Sequence, residues 1–156
     1  MKLKVVAVGK LRMAPMKALA QEYEERLRHY LKAEVVEVRE ARKVESHDTG
    51  PALAEEAENL WSAVTPNTLV VAMDERGEGL SSPELSAFIE RHMTHGQGDL
   101  AFLIGGALGL HPSVRTKASK IVSLSKMTLP HELARVFLLE QLYRAMTIQR
   151  GEPYHK

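Results

Sequence analysis

An α/β fold built on a parallel sheet is what this sequence predicts, and three observations predict it. Short β-branched or apolar runs alternate with helical periodicities along the chain, and the breaks between them are brief. No segment repeats, and none has the composition of a linker or of a low-complexity tract. Strands and helices in strict alternation are the pattern of a parallel sheet covered by helices on both faces.

Each element has its own justification. Leu3–Val8 opens the chain as a β-branched strand, followed by Met16, Leu19, Ala20, Tyr23, Leu27, Tyr30 and Leu31 at helical spacing. A strand at Glu34–Val38 precedes a helix entered after Thr49 and Pro51, with Leu53, Ala57, Leu60, Trp61 and Val64 on one face. Thr68–Met73 is the third strand. The next helix starts at Ser81, where Ser81 and Glu84 have the spacing of a capping box. Leu100–Ile104 is the fourth strand, Pro112 opens a short helical turn, and Ile121–Leu124 is the fifth strand. The last helix runs from about Pro130 to Met146. Its Leu133, Val136, Phe137, Leu138, Leu139, Leu142, Tyr143 and Met146 spread apolar surface beyond one stripe, so it is buried on most sides. A partner subunit would account for the second buried side, and so would a central place in the core of one chain.

Bulk properties narrow the class. A chain of 156 residues forms one domain and buries roughly 70% of its unfolded surface. No apolar run approaches the ~20 residues of a membrane span, and the first residues lack the pattern of a signal peptide. With no cysteine there is no disulfide framework, thiolate metal site or cysteine nucleophile, and a cytoplasmic location is expected. The net charge of +1 hides an asymmetry. Residues 1–44 hold 11 Lys/Arg against 6 Asp/Glu, residues 45–99 hold 2 against 11, and residues 100–156 hold 8 against 3. Two basic ends around an acidic middle suit a positive face for RNA, although ordinary surface charge has the same look.

Three strand-end loops carry the chemistry. The glycines at 105, 106 and 109 in "LIGGALGL" spell neither a dinucleotide fingerprint nor a P-loop. Their place after an apolar strand is nevertheless where open α/β sheets bind ligands. The loop from Ser123 to Glu132 is too apolar for a phosphate cradle, but its backbone groups could read an adenine edge under Leu124, Met127 and Leu129. The third loop follows Met73-Asp74. Three such loops converging on one crevice would make a ligand site.

These loops, in this order ahead of "LYRA" and "PYHK", closely resemble the ribosomal RNA large-subunit methyltransferase H family over essentially the whole chain. "LIGGALGL", "LSKMTLPHELARV" and "LYRAMTI…PYHK" are its most specific parts. The resemblance implies the SPOUT fold: a single-domain parallel-sheet α/β fold over 1–156 whose C-terminal part forms a deep trefoil knot. Knots are rare exceptions to the rules of chain connection, and neither composition nor periodicity reveals one here. It also implies S-adenosylmethionine as cofactor, a homodimer, and N3-methylation of a pseudouridine in helix 69 of 23S rRNA on the assembled ribosome. Carried over by residue, the cofactor positions are Met73, Gly105, Leu124, Ser125, Lys126, Met127, Thr128 and Leu129. Family members often have leucine at Met73 and vary at Lys126 and Met127, and Ala107-Leu108 replaces a more usual polar pair. Gly105 is expected to leave room for backbone to approach the cofactor.

Methyl transfer from a sulfonium needs alignment, and loss of the uracil N3 proton benefits from a base. With the resemblance, His155 is the candidate base or base-orienting contact. Arg144 and Lys156 would bind phosphate or steady a uracil anion, and Tyr154 would stack on a base. Glu140 stands at the i, i+4 spacing that orients Arg144. The other histidines, His29, His92, His95 and His111, read as helix-surface or helix-end residues, and no metal cluster is evident. A tail from one subunit that completes the site of the other would explain the apolar helix beside it. The rivals are a knotted methyltransferase acting on transfer RNA, for which an appended RNA-binding domain would be expected, and a non-catalytic ribosome-binding module.

Overall fold

A computed structural model describes residues 1–42 and 47–156. The elements are β1 (Lys2–Val8), α1 (Ala14–Arg28), β2 (Lys32–Val38), α2 (Gly50–Ser62), β3 (Thr68–Gly79), α3 (Ser82–His95), β4 (Asp99–Ile104), α4 (Pro112–Lys117), β5 (Lys120–Ser123) and α5 (His131–Gln149). All five strands join one parallel sheet in the order β2-β1-β4-β3-β5. The predicted α/β class and every predicted element are therefore present, with ends shifted by a few residues except at β3.

Alternation along the strands divides the core into two layers. Leu3, Val5 and Ala7 of β1, with Phe102 and Ile104 of β4 and Val71 and Met73 of β3, face α1, α3 and α5. Val6, Val8, Val70, Ala72 and Leu103 face the other way, onto Ala57 and Leu60 of α2 and Val114 of α4. Strands buried on both faces explain the unbroken apolar runs of β1 and β4. The edge strand β2 is only half-buried, and its Glu34 pairs with Lys2 and, at 3.8 Å, with Lys4 of β1.

Local signals set the helix ends. Ser81 accepts the Glu84 N–H at 3.2 Å and Glu84 accepts the Ser81 N–H at 2.7 Å, completing the capping box. These bonds hold the Glu84 carboxyl below its usual range. His111 caps α4 through Nδ1, which accepts the Ser113 N–H at 3.1 Å. His92 departs from expectation: it is buried on α3, where a side chain at Gly96 would collide with its ring.

Much of the apolar surface on α5 is buried within one chain, while Leu133 stays exposed and Phe137 and Tyr143 half-buried. The helix lies between α1 and α3 on the sheet, so Leu138, Leu139, Leu142 and Ala145 are fully enclosed. The central place of the helix in the core accounts for these residues, and Leu133 at its start is left uncovered. At its start, Arg135 is 3% exposed and donates to Val8 O at 3.2 Å, Gly9 O at 2.7 Å and Glu37 Oε2 at 2.6 Å. Glu132 accepts the N–H groups of Arg12 and Met13 at 2.8 and 3.1 Å, which holds its carboxyl below the usual range. Together these contacts clamp the first turn of α5 to the carboxyl end of β1.

Candidate active site

Parallel strands send their carboxyl ends to one edge, and here β4, β3 and β5 are adjacent. Their last paired residues are level: Met73 stands opposite Ile104 on one side and Val122 on the other. The three loops therefore leave side by side, as the placement rule for open sheets requires.

The β3 loop is a bulge within an extended strand. After Met73 the chain leaves the ladder and rejoins β5 at Glu78 and Gly79, opposite Val122 again. Gly77 makes the return possible: a Cβ there would lie 2.7 Å from the Ile121 carbonyl carbon and the Val122 nitrogen. This is why the strand predicted as Thr68–Met73 runs to Gly79, since the charged residues 74–76 interrupt the apolar pattern without ending the pairing.

The glycine loop closes on itself. Gly109 adopts φ +79°, its N–H donates to Gly106 O at 3.1 Å, and a Cβ at Gly105 would sit 2.4 Å from Gly109 O. The room at Gly105 is needed by the turn itself, a different reason from the approach of a ligand. In the loop after β5, Ser125 Oγ accepts the Met127 N–H at 2.9 Å and Ser123 Oγ donates to Ser125 O at 2.8 Å.

Between these loops and the first turn of α5 lies a cleft of about 440 Å³. Met73, Ile104 and Leu110 are buried in its floor; Leu108, Leu124, Met127 and Leu129 extend the apolar lining. Two ties cross it. Arg115 Nη1 reaches Asp74 Oδ2 at 3.3 Å, joining α4 to the bulge, and Thr128 Oγ1 donates to Glu75 Oε2 at 3.0 Å, joining the bulge to the last loop. Of the predicted cofactor positions, Met73, Gly105, Leu124, Ser125, Met127, Thr128 and Leu129 line this one cleft; Lys126 is exposed beside it and does not. Sequence reasoning missed Asp74, Arg115 and His131. Asp74 was within reach, adjoining Met73, but the Arg115 pairing spans 41 positions and has no local signal.

The remaining candidates gather elsewhere. Arg144 stands more than three turns beyond His131 on α5, about 20 Å along the axis at 1.5 Å per residue. There Glu140 Oε1 accepts from Arg144 Nε at 3.0 Å and Nη2 at 2.6 Å, and from the Tyr154 hydroxyl at 2.9 Å. Arg144 Nη1 lies 3.1 Å from His155 Nδ1, and its guanidinium covers the Tyr154 ring at 4.7 Å. Tyr154 in turn packs edge-on against Tyr143 at 4.7 Å. Glu140 raises the Arg144 pKa further, fixing the positive charge. Burial first, then hydrogen bonding with Tyr23 and Glu140, pushes the Tyr154 phenol above the usual tyrosine range. Lys156 is exposed at the end of this tail. Among the described residues, no group of three or more His, Asp or Glu side chains could hold a metal ion, and no helix is long and apolar enough to cross a membrane.

The fold is shared with solved structures whose descriptions name methyltransferases or methylases. A "Probable Methyltransferase" from Bordetella pertussis Tohama I superposes with a TM-score of 0.58 at 16% identity, covering 93% of this chain and 96% of its own. A "probable methylase family protein" from Haemophilus influenzae Rd KW20 does so at 0.55 and 14% identity, covering 99% of this chain and 70% of its own. The sequence profile described as "Predicted SPOUT methyltransferase" matches residues 1–155. The class is therefore the SPOUT methyltransferases.

Within that class, the sequence is 49% identical over 156 residues to ribosomal RNA large subunit methyltransferase H of Anaeromyxobacter dehalogenans (strain 2CP-1), covering all of both chains. The protein of the same name from Geobacter sp. (strain M21) is 42% identical, with 99% of each chain covered. The chain belongs to the ribosomal RNA large subunit methyltransferase H family.

Proposed function

We propose that this chain uses S-adenosylmethionine to methylate N3 of a pseudouridine in helix 69 of 23S rRNA on the assembled ribosome, in the cytoplasm, as a homodimer. The observation that carries the reaction class is the cleft assembled by three loops at the carboxyl edge of the sheet, in a chain whose full-length relatives are named for rRNA methylation. The nucleotide rests on the family resemblance.

The cleft suits the cofactor by its own chemistry. Its volume lies in the range of small-molecule sites. Leu124, Met127 and Leu129 offer an apolar cover for a purine, and loop N–H and C=O groups offer edges for hydrogen bonding. The Glu75 carboxylate in the lining complements a cationic sulfonium, while Asp74 is paired with Arg115. The cofactor, when bound, supplies an electrophilic methyl group. Met73, Gly105, Leu124, Ser125, Lys126, Met127, Thr128 and Leu129 are the residues proposed to hold and orient it, Lys126 from the loop backbone. Holding nucleophile and methyl carbon in line contributes roughly 7–11 kcal/mol.

Arg144, Tyr154, His155 and Lys156 are proposed to grip the RNA. They lie about 20 Å along α5 from the cleft, which supports a site completed by the tail of a second copy. Exposed Met13, Leu19 and Leu133, on α1 and the start of α5 that Glu132 ties together, offer apolar surface for that copy. A trefoil knot in the C-terminal part of the chain rests on the family resemblance.

The test is methyl transfer from labelled cofactor to ribosomes, followed by mapping of the modified nucleotide. Label at a helix 69 pseudouridine is expected; label in transfer RNA and none in 23S rRNA would overturn the substrate. Titration of the protein with cofactor alone separates an enzyme from a ribosome-binding module, which would give no heat.

A further inference from the structure

The tail cluster fixes more than the position of His155; it fixes which ring nitrogen bears the proton. A guanidinium has five N–H donors and no acceptor, and it stays charged in proteins. The contact of Arg144 Nη1 with His155 Nδ1 at 3.1 Å can therefore run only one way: arginine donates and Nδ1 accepts. An imidazole whose Nδ1 lone pair is so engaged carries its single proton on Nε2. Arg144 cannot turn away cheaply, because Nε and Nη2 are both held by Glu140 Oε1 and its plane is stacked on Tyr154. Glu140 is itself steadied by the Tyr154 hydroxyl.

We infer that Glu140 and Arg144 act as a positioning relay that presents His155 as a hydrogen-bond donor through Nε2–H, and that His155 is not the proton acceptor of the reaction. The inference rests on the proposed N3-methylation and assigns the role of one group within it. In a uracil ring N3 is flanked by two carbonyls, C2=O and C4=O. Loss of the N3 proton to solvent leaves negative charge spread over both oxygens. Nε2–H donates to one of them, so the charge is stabilised as it develops; the N3 lone pair then forms the new bond to the methyl carbon while the carbon–sulfur pair leaves on sulfur. His155 meets this cluster through Arg144, and the Glu140 carboxylate behind it is already committed to Arg144 and Tyr154.

Two measurements on the full-length protein test this. Long-range nitrogen–proton NMR of the histidine rings, without any ligand, is expected to show His155 with Nε2 protonated and Nδ1 bare. Arg144→Leu is expected to release the ring into a tautomer mixture. A His155 ring protonated on Nδ1 in the wild type overturns the inference whatever the enzyme does. In the ribosome assay, His155→Ala is expected to lose about 10²–10³-fold in kcat, the usual cost of one oxyanion donor. His155→Gln, whose side-chain amide can place an N–H near the Nε2 position, is expected to recover most of that loss with the pH profile of the wild type. If Gln is as inactive as Ala and the wild-type profile has an acidic limb, with activity lost as the imidazole is protonated, that only histidine supplies, His155 is the base and the inference fails. Absence of methylation by the wild-type protein with cofactor bound would count against the proposed reaction instead, leaving the NMR result to decide the tautomer.

Discussion

The strand-end cleft and the tail cluster are built on opposite plans. The cleft is made of loops whose shape is set by backbone: a bulge that needs Gly77, a turn that needs Gly105 and Gly109, and a loop braced by its own serines. The tail cluster is made of side chains on one helical turn of α5, Glu140 to Arg144, and in the terminal segment 151–156, joined by charge and ring stacking. One is a shaped receptacle, the other a set of groups that act at a distance from their own cleft. The difference teaches where each tolerates change: side-chain swaps should be mild in the cleft loops and severe in the tail, and added Cβ atoms the reverse.

The sharpest way to break the comparison is to remove the tail. Deleting residues 151–156 is expected to abolish rRNA methylation while cofactor affinity, read by calorimetry, stays within about threefold. Loss of the Tyr154–Tyr143 packing and of the Tyr30–Glu152 bond should lower Tm by only a few degrees. Retained methylation would mean that the tail has no part in the reaction. Next in size is Gly105→Val, whose side chain meets the Gly109 carbonyl inside the loop. It should weaken cofactor binding by about 100-fold or more, a misplacement effect, and leave the tail cluster unchanged by NMR. Wild-type affinity in that variant would show that the loop has slack the geometry denies it.

A smaller effect separates the clamp from both regions. Arg135→Met removes the charged donor that satisfies Val8 O and Gly9 O and should cost about 2 kcal/mol in denaturant unfolding. Because the clamp seats the first turn of α5, cofactor affinity should fall with it.

The least disturbing probe is pH. The Tyr30 phenol, hydrogen-bonded to Glu152 at 2.5 Å, is pushed up from 10.0 to about 12, chiefly by that bond. The neutral phenol is the stabilised form, so the contribution is complete below the unfolded value and is lost as pH rises through the folded one. A tyrosinate titration should show two phenols appearing late, Tyr30 near pH 12 and Tyr154 beyond it, and the step near 12 should vanish in Tyr30→Phe. A Tyr30 that ionises near 10 would show that the root of the tail is not held by this contact.

How much of this could be read in advance follows from range. Helix and strand identity was legible because periodicity and caps are local: Ser81 with Glu84, Pro112 after His111, and the unbroken runs of β1 and β4 all act within a few residues. The three loops of the cleft were legible from their places after apolar strands, and the family motifs added the particular cofactor positions. The cross-ties of the cleft were not legible, since Arg115–Asp74 and Thr128–Glu75 join residues 41 and 53 positions apart. Gly105 shows the limit most clearly, because its need for space comes from a carbonyl four residues on, which only the closed loop reveals.

By itself, then, the sequence determined the alternation of strands and helices, the two-faced burial of the central strands and the family to which the chain belongs. These depend on the order of apolar, polar and turn residues, which short-range physics reads directly. Only the tertiary structure decided the strand order, the central place of α5 in the core, and the distance that keeps the His155 cluster away from the cleft. Those depend on which distant segments meet, and each such meeting is selected by the burial of the whole core rather than by any local signal.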